Sequence, residues 1–136
     1  MSKITEAAKE AIMKNCNPVE ISDDFNQLQI SISAEQILDV VDFIKNDEAC
    51  EFRQITDIAG VDFPDRQKRF EVIYHFLSFK HNSRLRIKII TGEDESIPSI
   101  TSIFPAANWF EREVFDMYGI QSVSYTHLTL PTIYSV

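Results

Sequence analysis

The 136-residue chain is long enough for one domain with a core of its own and too short to expect two. Its 44% hydrophobic and 25% charged residues match ordinary globular composition, which excludes disordered and fibrous classes. A formal charge of −8 at pH 7 repels phosphate backbones and anionic headgroups, so nucleic acid is not an expected partner.

Ile4, Ala8, Ala11 and Ile12 recur at helical spacing, predicting a weakly amphipathic helix over residues 3–14 that ends before Asn15-Cys16-Asn17-Pro18. Leu28, Ile30 and Ile32 alternate with Gln29 and Ser31, the pattern of a strand with one buried face. Ser33 and Gln36 then stand at capping-box spacing before a helix whose apolar positions are Ile37, Leu38, Val41 and Ile44. From Phe52 to Phe63 the branched residues predict a second strand, with an irregularity expected at Gly60 and a turn from Asp62 to Lys68.

RFEVIYHFLSF, Arg69 to Phe79, is apolar at both parities and predicts a central strand covered on each side. After the polar turn 80–83, Arg84 to Ile89 alternates basic and apolar, with Leu85, Ile87 and Ile89 inward and Arg84, Arg86 and Lys88 outward. The two strands form an antiparallel hairpin. A solvated acidic loop, 91–95, and a stretch with two prolines lead to the last helix. The fold class is therefore α+β, a small mixed or antiparallel sheet with flanking helices and an aromatic, charge-dense helix near the C-terminus.

The uninterrupted apolar runs are far shorter than the roughly 20 residues that span a bilayer, and MSKITEAAKEAIMK lacks an apolar signal core. The expectation is a soluble, unexported chain with no direct membrane span. Cys16 and Cys50 lie far apart, outside any CxxC or Cys/His cluster, so neither zinc nor an iron–sulfur centre is expected, and reduced thiols are favoured over a Cys16–Cys50 disulfide. Arg66/Lys68/Arg69 and Arg84/Arg86/Lys88 are the local basic patches that could hold an anion, against the plainer reading of a solvated strand face. His75 reads as a core or edge histidine and His81 as a turn residue, neither as a ligand.

The segment Asn108 to Ile120, NWFEREVFDMYGI, carries most of the information about function. Asn108 is placed to cap a helix, Glu111 to reach back as a capping carboxylate, and Gly119 to end it in the left-handed conformation. At roughly 100° per residue, Phe110, Val114, Met117 and Tyr118 form one apolar stripe expected to face the core. Trp109, Arg112, Glu113 and Asp116 fall on a neighbouring face, with Arg112 and Asp116 spaced as i,i+4 partners. An indole and a guanidinium amid charges suit a partner surface, whereas a solvated helix face with surface ion pairs is the alternative. No histidine, serine or cysteine nucleophile stands near these carboxylates in sequence, so a catalytic acid/base site is disfavoured and no catalytic, metal or cofactor residue is assigned.

AANWFEREVFDMYGI resembles the most characteristic segment of the C subunit of proton-translocating NADH:quinone oxidoreductase, respiratory complex I, through Trp109, Glu111, Arg112, Glu113, Asp116 and Gly119. ITDIAGVDFP, RFEVIYHFLS, RLRIKI and SIPSITSIFPAAN resemble the family in order and spacing, so the likeness covers roughly residues 25–120. The resemblance implies a non-catalytic subunit of the peripheral arm, packed on the quinone-site and iron–sulfur subunits. It implies no cofactor in this chain, with FMN and iron–sulfur clusters in other subunits. It also implies a place on the cytoplasmic side of a bacterial inner membrane, or on the mitochondrial matrix side. The corresponding subunit of a membrane-bound hydrogenase-type complex is the second reading, and an unrelated small binding module the third.

After Ile120 the family pattern implies a Gly-His-Pro-Asp-Leu-Arg-Arg-like stretch, but QSVSYTHLTLPTIYSV, 121–136, contains no Asp, Glu, Lys or Arg. The expected division is therefore a family-like domain, 1–120, followed by an atypical tail, 121–136, read as foreign sequence or as a C-terminal strand.

Overall fold

The computed structural model describes residues 6–16, 18, 20–24, 27–48, 50–65, 68, 70–81, 83–92 and 96–123. In chain order the elements are α1 (Glu6–Asn15), β1 (Glu20–Asp24), β2 (Gln27–Ile32), a 3-10 turn (Ala34–Gln36) running into α2 (Ile37–Asn46), β3 (Gln54–Asp62), β4 (Phe70–Ser78), β5 (Ser83–Thr91), β6 (Ser96–Pro98), α3 (Ala107–Tyr118) and β7 (Gln121–Val123). This is the α+β architecture expected.

The main sheet has five strands in the order β1-β2-β5-β4-β3. Only β2 and β5 pair in parallel; β1–β2, β5–β4 and β4–β3 are antiparallel. A chain leaving β2 cannot return parallel beside it through a tight turn, and α2 with the β3-β4-β5 meander provides the crossover. β6 and β7 form a separate short parallel pair that brackets α3.

Strict alternation in β2 and β5 produces three apolar rows across the sheet. Leu28, Leu85 and Phe76 stand abreast, then Ile30, Ile87 and Tyr74, then Ile32, Ile89 and Val72, all buried. Ile37, Val40, Val41 and Ile44 of α2, with Ala8 and Ile12 of α1, complete the same core. Each fully buried Ile or Leu contributes about 1.5–3 kcal/mol, so these rows fix the strand register: a one-residue slip would expose a whole strand's set.

The entry to α2 follows the sequence closely. The Ser33 backbone N–H donates to Gln36 Oε1 at 3.0 Å, and Gln36 Nε2 donates to the Cys16 carbonyl at 3.1 Å, tying the end of α1 to the start of α2. At the other end of α2, Lys80 Nζ lies 2.6 Å from Glu51 and His81 Nε2 lies 2.9 Å from the Glu48 carbonyl, clamping the β4–β5 turn on the α2–β3 connection. The Lys80 ammonium holds the Glu51 carboxyl below its ordinary range.

Two expectations are corrected. The irregularity in β3 falls between Ile55 and Asp57, whereas Gly60 pairs regularly with Val72. Ile55 and Ile58 are three residues apart and would face opposite sides of a regular strand; the bulge turns both into the core. β4 is interior to the sheet but not covered on both faces, because Ile73, His75 and Leu77 are only half-buried. On β5, Leu77 is paired with Arg84, His75 with Arg86 and Ile73 with Lys88, on the same face of the sheet. Aliphatic stems of Arg and Lys shield apolar strand residues while their heads reach for water, as at exposed Arg84; Arg86 is drawn further in, its Nε shut off from solvent.

Candidate partner-binding helix

α3 begins without a side-chain cap. The turns of residues 100–106 deliver its first N–H groups to backbone acceptors, Ala107 to the Phe104 carbonyl at 2.9 Å and Asn108 to that of Pro105 at 3.2 Å. The cap position is Ala106, so Asn108 is not the cap expected and lies exposed in the first turn. The other end is as expected. Gly119 takes φ 73°, and its N–H donates to the Phe115 carbonyl at 2.8 Å.

The buried side of α3 is Ala107, Glu111 and Val114, with Phe110 partly buried, and it lies against β3. Met117, assigned to the apolar stripe from sequence, is instead 72% exposed; Tyr118's side chain lies outside what is described. The stripe is rotated from Met117 toward Glu111, because that carboxylate finds partners inside.

Glu111 is only 7% exposed and does not reach back to cap the helix. Its Oε1 accepts from Ser99 Oγ at 2.7 Å and from Thr101 Oγ1 at 3.1 Å, and its Oε2 accepts from the Ile100 backbone N–H at 2.9 Å. Burial raises its pKa, with the three hydrogen bonds working in the opposite direction. Tyr74 lies fully buried in the core, its hydroxyl without a partner among the described residues; desolvation and then the charge of Glu111 push its pKa up. The far end of the same loop is pinned separately: Lys45 Nζ donates to the Ile103 carbonyl at 2.6 Å and sits 5.2 Å from the Phe104 ring centroid, and Phe104 packs at 5.2 Å on Phe76.

The outward face holds Trp109, 65% exposed, with Arg112, Glu113, Asp116 and Met117. All four residues singled out as a partner face thus point to water together. The expected Arg112–Asp116 ion pair is not closed among the described residues, which leaves both charges free of each other. A Trp 65% exposed is uncommon on a surface that meets only solvent, since Trp is among the most buried side chains on average.

Among the described residues no cluster of three or more His, Cys, Asp or Glu side chains is placed to hold a metal ion. Cys16 and Cys50 are free and buried; desolvation raises their thiols to about 11 and about 12. His75 is half-buried, and desolvation followed by Arg86 lowers its pKa. His127 and most of the atypical tail, together with Arg66 and Arg69, lie outside the described residues.

The model of the family "Respiratory-chain NADH dehydrogenase, 30 Kd subunit" matches residues 30–131, three quarters of the chain and a stretch that runs past Ile120. The chain belongs to this family. It is 49% identical over 96 residues to the C subunit of NADH-quinone oxidoreductase from Ruegeria pomeroyi, covering 71% of this chain and 48% of that protein. With the C subunit from Xanthobacter autotrophicus the identity is 54% over 94 residues, covering 69% of this chain and 45% of the other. The chain thus spans about half the length of the curated relatives it matches.

In fold, it is similar to a chain of the membrane-bound sulfane sulfur reductase, an archaeal respiratory membrane complex, with a TM-score of 0.74, 23% identity, and coverage of 93% of this chain and 74% of that one. No helix among the described residues is long and apolar enough to cross a membrane. Within this family member, the residues that carry the resemblance divide by role. Glu111 and Gly119 are structural, one holding the preceding loop and the other ending the helix, while Trp109, Arg112, Glu113 and Asp116 are outward.

Proposed function

We propose that the chain is a non-catalytic structural subunit of NADH:quinone oxidoreductase, supporting assembly of the arm that passes electrons from NADH to quinone coupled to proton translocation. The observation that carries this is the exposed Trp109, Arg112, Glu113, Asp116 and Met117 face on a helix whose opposite side is fixed to the core. Burying a Trp and an Arg against a partner removes large contact area from water and supplies directional donors, the combination enriched among binding hot spots. The partners on this reading are the quinone-site and iron–sulfur subunits of the peripheral arm. FMN and the clusters belong to other subunits, and the chain sits peripherally on the cytoplasmic or matrix side.

The second reading is the corresponding subunit of a membrane-bound hydrogenase-type complex, since the same fold also serves a respiratory membrane complex other than NADH-quinone oxidoreductase. One experiment separates them. Tagged in its source cell, the chain should co-purify with quinone-site, iron–sulfur and NADH-binding subunits. Hydrogenase subunits in the eluate would favour the second reading, and a lone monomer would overturn both.

A further inference from the structure

The middle of the sheet face opposite α2 is open in part: Arg84 and Ile90 are exposed, and Ile73, His75, Leu77, Arg86 and Lys88 half-buried, while Ser31 and Glu71 at its margins are buried. Along β5, Arg84, Arg86 and Lys88 project from it at two-residue spacing, in a chain whose overall charge is −8. Beside them on β4 stand half-buried Ile73 and Leu77, and Ile90 continues the β5 row at 43% exposure. Arg86 is short of an acceptor: its Nε is shut off from water without a partner among the described residues. Acidic positions flank the row and do not lie within it: Asp57 stands two strands away across His75, Glu20 two strands away on the other side across Ser31, and Glu71 at the far end, opposite Ile90.

We propose that this partly open face is a second docking surface, taken by an acidic polypeptide segment with apolar anchors, so that the chain is held between two partners rather than attached through α3 alone. This rests on the assembly reading above. Charge complementarity selects the occupant. A cationic row within a strongly anionic protein attracts carboxylates locally while the remaining surface repels an acidic partner that approaches elsewhere. A strand face with apolar residues directly across from the cations suits an extended segment, its carboxylates on Arg84 and Lys88 and its apolar side chains on Ile73 and Leu77. An anionic bilayer is the less favoured occupant. The net charge opposes it, and Ile73 and Leu77 are half-buried within the sheet rather than raised above it.

The test uses the intact assembly, with a photo-cross-linking amino acid placed at Lys88 or, separately, at Trp109. The Lys88 probe should capture a subunit segment dense in Asp and Glu, and the Trp109 probe a different segment. Arg84→Glu with Lys88→Glu should weaken retention in the assembly on the order of tenfold, with stronger loss as salt is raised, while the purified variant keeps its circular dichroism spectrum. Capture at Trp109 but only solvent, lipid or a non-acidic segment at Lys88 would overturn this inference and leave the assembly reading standing. Elution of the unmodified chain as a monomer, with no capture from either position, would remove the assembly reading itself.

Discussion

Glu111, on the buried side of α3, accepts the Ile100 backbone N–H at 2.9 Å and binds Ser99 through its other oxygen at 2.7 Å, so the helix and the loop that precedes it are closed into one unit. Glu111→Ala would strand the buried Ile100 N–H and take the charged acceptor from the Ser99 and Thr101 hydroxyls, which would keep their 2.8 Å bond to each other. The expected loss is roughly 2–4 kcal/mol, read by urea denaturation. A loss within experimental error would mean that water replaces the carboxylate without cost.

The same carboxyl gives a pH signature. Its folded pKa is raised, chiefly by desolvation, so the folded state binds a proton more tightly than the unfolded one. Its contribution is then fully present below the ordinary carboxylate range and is lost as pH rises through the raised value. Glu111→Gln cannot titrate. The stability of the parent relative to this variant should therefore fall as pH is raised from acid toward neutral, and a difference that rises with pH would show hydrogen bonding, not desolvation, to dominate.

Much of the fold was legible because β2, β4 and β5 obey simple alternation and the α2 start carries Ser33 and Gln36 at capping-box spacing. β1 was not, because EISDD offers one apolar residue and is held at the sheet edge by pairing with β2. The β6–β7 pair joins residues from both sides of α3, a non-local contact that no local pattern announces. In α3 the exposed face was legible from spacing alone, but the role of Glu111 was not, since helical periodicity counts a carboxylate as solvent-facing. The signal lay upstream, in the hydroxyls of Ser99 and Thr101, which make an inward carboxylate affordable. The bulge was likewise written in the three-residue gap between Ile55 and Ile58, not in Gly60.

Val114 and Met117 offer a paired test of how α3 is rotated. Val114 is 6% exposed and Met117 72%. Val114→Ala should cost about 1–2 kcal/mol, whereas Met117→Ala should change stability by less than about 0.5 kcal/mol. The reverse ranking in thermal or urea unfolding would restore the apolar stripe as sequence periodicity drew it.

Gly119 sits at φ 73°, and a Cβ there would meet nothing within 4 Å. Any penalty for Gly119→Ala then comes from the left-handed backbone itself and not from neighbouring elements, about 1 kcal/mol. A much larger loss would point to crowding.

Trp109→Ala and Arg112→Ala address the function. Both side chains lie outside the core, so each variant should unfold within about 0.5 kcal/mol of the parent. If α3 is the partner face, the same variants should lose co-purification with the assembly or lower its quinone reductase activity, because truncating a central Trp or Arg in an interface commonly costs about 2 kcal/mol or more of binding. The pair of measurements matters more than either alone. Unfolding of the isolated chain with no separate effect on assembly would place these side chains in a structural role. Normal folding with unimpaired assembly would return this helix face to solvent.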